Sequence, residues 1–343
     1  MRKYMYPTFA ILVVSALLLG GCAAPDAPVA QKLKVGVVLD TSGENDKSFN
    51  EYSLKGVKEA ATEKGLDFSY IVSQSTDDFE KSIETQIAEG ANLVVTVGIF
   101  LGDATKAAAI KYPDVKFAIV DVAYFPGDDG KDPYSNELKN ITSLMFAEDE
   151  TAYLAGVLAG CMSKTGVIAT VSGMEIPPVV RFVKGYQTGA KSVNPNIITL
   201  NQYIPDFNDP VTGKTIGQTF IGQGADVVFG VGGNTGNGGL LAAKEAGIMA
   251  IGVDADQYLT YPEVEDALMT SAMKNVDIAT GQAVRDFADG KLAASIKMAT
   301  LSNGGVGLAP YHDWDSKISA DCKAKVAAAA DAVKADPKIT GGK

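Results

Sequence analysis

With one histidine, one tryptophan and three cysteines in 343 residues, the chain is closed to whole classes of chemistry. A Ser-His-Asp arrangement, or a metal site built from several imidazoles, needs more than His312 supplies, and His312 sits beside Trp314 near the C-terminus. Cys22, Cys161 and Cys322 have no metal-ligand spacing. Basic residues are also scarce, 30 against 41 acidic, for a net charge of −11. That balance speaks against binding nucleic acid and against a polybasic grip on anionic lipid. Long apolar runs are missing at the N-terminus as well. Phe9–Leu19 is too short to cross a bilayer as a mature helix, which takes roughly 20 residues.

That short run still has a reading. Arg2 and Lys3 precede it, and it closes on Leu19-Gly20-Gly21-Cys22. A basic start, an apolar middle and small residues before the cut make a secretory signal. A cysteine directly after the small pair makes it a bacterial lipoprotein signal. Residues 1–21 would be removed, the Cys22 thiol acylated, and residues 22–32, small, polar and proline-containing, would serve as a flexible tether. An ordinary signal peptide with an incidental cysteine is the competing reading. Either way the chain is expected to work outside the cytoplasm, and in the lipoprotein case it is held by lipid on the extracytoplasmic face of the cell membrane. Loss of the leader removes two basic residues and no acid, so the remainder is more acidic still. For Cys161 and Cys322, a disulfide and two buried free thiols both stay open.

The body alternates short apolar runs with amphipathic stretches. Lys34–Leu39 reads as a strand, residues 47–64 as a helix, Phe68–Val72 as a strand, and Phe79–Glu89 as a helix. Leu93–Val97 and Phe117–Asp121 are strands flanking a helix at Asp103–Lys111, and Ile141–Phe146 adds a strand. The grammar restarts with a helix over Thr151–Met162. Strands follow at Val167–Val171, Ile197–Gln202, Val227–Val231 and Ala250–Val253, separated by helices over Val179–Val193, Thr215–Gln223 and Gly238–Ala246. Runs apolar at every position imply parallel sheets covered on both faces. Two such series predict two doubly wound α/β lobes with a cleft between them. Later pieces, Leu268–Met273, Asp277–Asp289, Lys297–Leu301 and Ala320–Val333, are expected to cross back between the lobes. The expected division is 33–146 with 275–300 in one lobe and 147–274 with 301–343 in the other.

Ligands of such sheets sit outside the carboxyl ends of the strands. The residues there include Asp40, Gly98, Asp121, Gly173, Gly232–Thr235 and Asp254. A strand-end aspartate is often only a helix cap. Three converging on one cleft would instead accept hydrogen bonds from the hydroxyls or amines of a neutral ligand. The run Gly230–Gly239 resembles a phosphate-binding turn but matches neither the dinucleotide fingerprint nor a P-loop. Close backbone approach to a ligand is the role expected of it. No nucleophile–base set is apparent. A two-carboxylate glycosidase is formally open but sits poorly on two lobes of this kind, so the chain is expected to bind rather than catalyse, with no cofactor and no metal.

Several segments carry a resemblance. Asn45-Asp46-Lys47-Ser48-Phe49-Asn50, Tyr153–Gly156, Gly173–Pro177, Gly222–Asp226, Ile251–Gln257 and Ser271–Lys274 are similar to the basic membrane protein family of lipoproteins, in the right order across roughly residues 34–310. That family includes purine-nucleoside receptors serving ABC transporters. The resemblance implies a type I periplasmic-binding-protein fold, two Rossmann-like lobes with parallel sheets joined by three crossovers. It also implies a nucleoside site. Phe49 and Phe207 would sandwich the base, Asp40, Asn50 and Asp121 would read its edge, and Asp254 would accept from the ribose hydroxyls. Lys274 would donate to the sugar, Gly232 and Gly233 would let the backbone come close, and Asp46 would touch the ligand or cap the helix at Lys47. The implied partners are a purine nucleoside and a membrane permease, with the receptor a monomer. A sugar or a flavin in the same fold, and a surface sensor or antigen with a vestigial site, remain alternatives.

Overall fold

Strands apolar at every position need cover on both faces, and the chain meets that demand twice. The computed structural model describes residue 1, residues 32–126 and residues 130–342. The leader, Cys22 and the tether up to residue 31 lie outside the described residues. The first series runs β1 (Lys34–Leu39), α1 (Phe49–Glu63), β2 (Asp67–Val72), α2 (Phe79–Ala88), β3 (Leu93–Val97), α3 (Gly102–Lys111), β4 (Lys116–Val120) and β5 (Ile141–Phe146). The second runs α4 (Glu148–Met162), β6 (Val167–Ser172), α5 (Pro177–Val193), β7 (Ile198–Tyr203), α6 (Pro210–Gly222), β8 (Val227–Val231), α7 (Gly233–Ala246), β9 (Met249–Asp254), a short α8 (Gln257–Thr260) and β10 (Leu268–Lys274). Last come α9 (Val276–Ala288), β11 (Ser295–Ala299), β12 (Val306–Leu308) and α10 (Ala320–Ala335).

The two sheets repeat one plan. Their orders are β2-β1-β3-β4-β5-β11 and β7-β6-β8-β9-β10-β12. All pairings in the first are parallel, and in the second only β12 runs antiparallel, against β10. The chain passes between the sheets three times, from β5 to α4, from β10 to α9, and from β11 to β12. This is the expected two-lobed, doubly wound architecture, with β11 carried back to the first sheet and β12 to the second.

The inner strands form the cores. Val35, Val37, Leu39, Val95, Val97 and Val120 are fully buried on one side of the first sheet, packed under Val57, Ala60, Val276 and Val284 of α1 and α9. Ile168, Phe229, Val231 and Ile251 do the same in the second, under Leu154, Leu158, Phe182 and Tyr186 of α4 and α5. Each such side chain contributes about 1.5–3 kcal/mol of burial. Cys161 and Cys322 form a disulfide joining α4 to α10, their Cα atoms 5.9 Å apart.

Several helix starts depart from the sequence reading, and at α7 and α4 packing accounts for the difference. α7 begins at Gly233, so most of the glycine-rich run is helix rather than turn. The reason is packing. A Cβ at Gly238 would fall on the Pro210 carbonyl, and one at Gly213 on the Thr235 carbonyl, so α6 and α7 touch backbone to backbone. α4 begins at Glu148, three residues before the expected start, because Glu148, Asp149 and Glu150 are all buried and occupied by partners. The α4–α5 contact is glycine-lined in the same way, with Gly156 facing the Tyr186 carbonyl and Gly189 the Tyr153 carbonyl. Gly156→Ala is therefore expected to lower stability by roughly 1–3 kcal/mol, read as a lower urea midpoint at unchanged slope. An unchanged midpoint would contradict this packing.

Candidate functional site

The carboxyl ends of both sheets face one shared cavity. Asp40 follows β1, Gly98 follows β3 and Asp121 follows β4. Across from them Val231 closes β8, Gly232 follows it, and Asp254 closes β9. The repeat of the sheet plan makes Asp121 and Asp254 equivalent, and both adopt left-handed backbone, φ 70° and 63°. Asp tolerates that region better than most residues, and the turn swings both carboxylates out of their strands. Gly98 and Gly232, the corresponding pair after β3 and β8, have φ 107° and 104°, where a side chain would be strained.

Nine of the ten expected ligand residues line this cavity: Asp40, Asp46, Phe49, Asp121, Phe207, Gly232, Gly233, Asp254 and Lys274. Asn50 does not. It is fully buried behind Asp40, donating from Nδ2 to Asp40 Oδ1 at 2.7 Å and to the Gly43 carbonyl at 2.9 Å. Its position on the first turn of α1 suits it to holding Asp40 rather than facing the cavity. Asp46 does what a cap does: its carboxylate accepts from the amides of Ser48, Asn50 and Glu51, at 3.1, 2.9 and 3.1 Å. The helix it caps begins at Phe49, two residues later than expected.

Apolar walls complete the cavity. Ile99 and Phe100 follow Gly98, and Ile176, Pro178, Val179 and Phe182 come from the start of α5. Sequence reasoning missed these. The strand-end rule points two residues short of Phe100, and the Pro177-Pro178 helix start carries no ligand signal. Phe207 lies over Gly173, where a Cβ would collide with its ring. Its ring centroid is 6.4 Å from that of Phe100 in the other lobe. The lobes also meet through polar contacts. The Asp46 carbonyl accepts from Asn237 Nδ2 at 2.9 Å, and the Lys47 carbonyl from Thr260 Oγ1 at 2.7 Å. Gln257 Nε2 donates to Asn237 Oδ1 at 2.9 Å, which orients that amide.

The charges are one-sided. Lys274 is the one cation among the residues lining the cavity, against Asp40, Asp46, Asp121 and Asp254. Its Nζ lies 2.6 Å from Asp121 Oδ2 and 3.0 Å from Glu148 Oε1, and 4.9 Å from the centroids of both Phe49 and Phe146. Burial alone would push this lysine down, but Asp121, Glu148 and Asp254 outweigh it and hold the ammonium charged. Among the described residues, Asp254 has no such partner in hydrogen-bond range. Burial, together with Asp46, Asp121 and Glu148, overrides the pull of Lys274 and raises it to about 8. Burial raises Asp46 to about 6. Asp121 Oδ1 is buried and, among the described residues, has no hydrogen-bond partner, although Oδ2 is engaged.

Comparison with known proteins agrees with this geometry. The family model described as "ABC transporter substrate-binding protein PnrA-like" matches residues 33–333. The chain belongs to the Bmp family. Among the relatives of this Bmp protein, the "ABC transporter nucleoside-binding protein BmpA" of Lactococcus lactis subsp. cremoris is 35% identical over 90% of this chain and 92% of its own length. The "CD4+ T-cell-stimulating antigen" of Listeria innocua is 31% identical over 93% and 94%. A solved ABC-transporter solute-binding protein from Aeropyrum pernix K1 superposes with a TM-score of 0.78 at 27% identity, covering 90% of this chain and 92% of that one. This Bmp chain is thus an ABC transporter substrate-binding protein by family, and the cavity between its lobes is where the fold places a substrate.

The raised aspartates have a consequence for stability. A buried aspartate that holds its proton more tightly than the unfolded chain does stabilises the fold at low pH. That contribution is lost as pH rises through the folded value, here from about 4 to about 8 for Asp254. Asp254→Asn removes the titration. The ligand-free variant is expected to match the wild type at pH 4 and to exceed it by on the order of 5 kcal/mol at pH 8.5, measured by urea unfolding. A difference that does not change with pH would contradict the burial of this charge.

Proposed function

We propose that the protein is a lipid-anchored, extracytoplasmic receptor that closes its lobes around a purine nucleoside and delivers it to a membrane permease. One observation carries the reading: two aromatic rings from opposite lobes, Phe49 and Phe207, line a cavity whose polar side chains are Asp40, Asp46, Asp121 and Asp254, with Ser42 and Lys274. Flat aromatic faces suit a nucleobase. Carboxylates suit donors, and a nucleoside offers amines, ring N–H groups and vicinal hydroxyls without a charge of its own. Asp254 would accept from the two ribose hydroxyls, which favours its ionised form. Asp121 Oδ1 and Asp40 would accept from the base, and Lys274 would donate to the sugar. The nucleoside-binding name of the Lactococcus relative supports the same reading.

The lipid anchor rests on the Leu19-Gly20-Gly21-Cys22 signal. Relatives named as lipoproteins and as basic membrane proteins agree with it. Delivery to a permease follows from family membership, with closure as the state presented. Ligand contacts bridging both lobes would drive that closure as a population shift.

Sugars also stack on aromatic rings, and flavins are flat, so the decisive comparison is between ligands. The chain from residue 23 onward, unfolded and refolded to strip carried-over ligand, should bind inosine, guanosine or adenosine in calorimetric titration, and should not bind ribose or riboflavin. Asp254→Ala should weaken nucleoside binding at least about 100-fold, and Phe207→Ala by about 10-fold or more. Both variants should retain a cooperative melt. Displacement by free ribose but not by nucleosides would replace this reading with a sugar receptor, and wild-type affinity in Asp254→Ala would overturn the site.

A further inference from the structure

Outside the lining of the cavity lie two further charged side chains. Glu148 is fully buried, and Arg181, on α5, donates from Nε to Glu148 Oε2 at 2.6 Å. The other carboxylate oxygen, Oε1, lies 3.0 Å from Lys274 Nζ. The four groups Arg181, Glu148, Lys274 and Asp121 therefore alternate in sign, and only the last two reach the cavity. We propose that Glu148 and Arg181 are positioning residues for ligand recognition, fixing the Lys274 ammonium at the cavity wall without touching the ligand.

The placement supports this role more than a generic buried pair would. A lysine side chain has four rotatable bonds and loses on the order of 2 kcal/mol of rotamer freedom when held in one conformation. Something must hold Lys274, and rings are poor anchors: Phe49 and Phe146 flank it at 4.9 Å but leave it free to slide. Asp121 alone would draw the ammonium into the cavity toward the first lobe. Glu148 comes from the other lobe's α4, so the ammonium lies between two carboxylates, hydrogen-bonded to Asp121 and ion-paired with Glu148. Arg181 in turn occupies the oxygen with which Glu148 would otherwise chelate the lysine.

The base of this arrangement is rigid because it sits on the crossovers. Glu148 opens α4 directly after the first crossover, and Lys274 ends β10 directly before the second. Its two neighbours are tied down as well. Asp149 accepts from Thr340 near the C-terminus, and Glu150 accepts from the Leu301 amide at 2.7 Å in the third crossover. A carboxylate fixed at the junction of all three passages gives Lys274 a reference that belongs to neither lobe's loops.

This inference rests on the nucleoside reading for its ligand but not for its geometry, and the experiment separates the two. Glu148→Gln strands the Arg181 charge, so the double variant Glu148→Gln/Arg181→Gln, which removes both charges, is measured beside it. In ligand-free protein, nitrogen-resolved NMR of the lysine ammonium groups reads the protection of Lys274 from hydrogen exchange. It should fall at least about tenfold in both variants. Inosine affinity should fall at least about tenfold too, and adding Glu148→Gln to Lys274→Met should cost nothing further, because the carboxylate acts through the lysine. Unchanged ammonium protection in the double variant would overturn the proposal. So would an equal loss of inosine affinity with and without Lys274. If the wild type ignores inosine while Lys274 protection still collapses, the positioning role stands and the nucleoside reading falls.

Discussion

One buried ammonium among carboxylates is the constraint from which the rest of this site follows. Lys274 is 1% exposed and held by Asp121 and Glu148, and burying a charge is tolerated only when partners replace its water. Those partners come from the residue after β4 in one lobe and from α4 in the other, so the requirement that stabilises the lysine also ties the lobes together. With Lys274 committed in this way, Asp254 is left in a buried site without a close counter-ion and is raised to about 8. An uncompensated, partly protonated carboxylate beside a cavity is a ready acceptor for hydroxyl donors, and a poor host for any anion.

The architecture produces that arrangement by repetition. Two sheets of the same strand order present equivalent ends to each other, and the equivalent aspartates after β4 and at the end of β9 turn out of their strands through the same left-handed backbone. Glycine pairs after β3 and β8 open room between them. The loop at Asp46 and Lys47 adds contacts that need no ligand. Its carbonyls accept from Asn237 and Thr260, while the Asp46 carboxylate fixes the start of α1. The two lobes thus have a polar seam of their own in addition to the cavity.

Much of this was legible in the chain. Continuous apolar runs such as Lys34–Leu39 and Leu93–Val97 can only be covered strands, and their order along the chain yields two doubly wound lobes. Asp40, Asp121 and Asp254 stand where ligands of parallel sheets sit, and all three line one cavity. What was not legible depends on tertiary packing. Glu148-Asp149-Glu150 precede the helix start expected at Thr151, yet each side chain is buried against a partner as much as 191 residues away in the chain. Arg181 lies on an amphipathic helix where a basic residue is unremarkable. The glycines of α7 resemble a phosphate loop because close helix packing and close ligand approach ask for the same missing Cβ. Asn50 sits next to the cavity-lining Phe49 in sequence, but the helical turn points it at Asp40.

The account holds that the cavity is built for a neutral ligand, with its single lysine already paired to carboxylates. Calorimetric titration of the refolded chain from residue 23 with inosine and with inosine 5′-monophosphate, at pH 7.5 and equal ionic strength, tests that claim most directly. The account predicts that inosine binds and that the monophosphate binds at least about 100-fold more weakly, a difference of about 2.7 kcal/mol. Equal or tighter binding of the monophosphate would mean that Lys274 is free to meet an anion, and would contradict it.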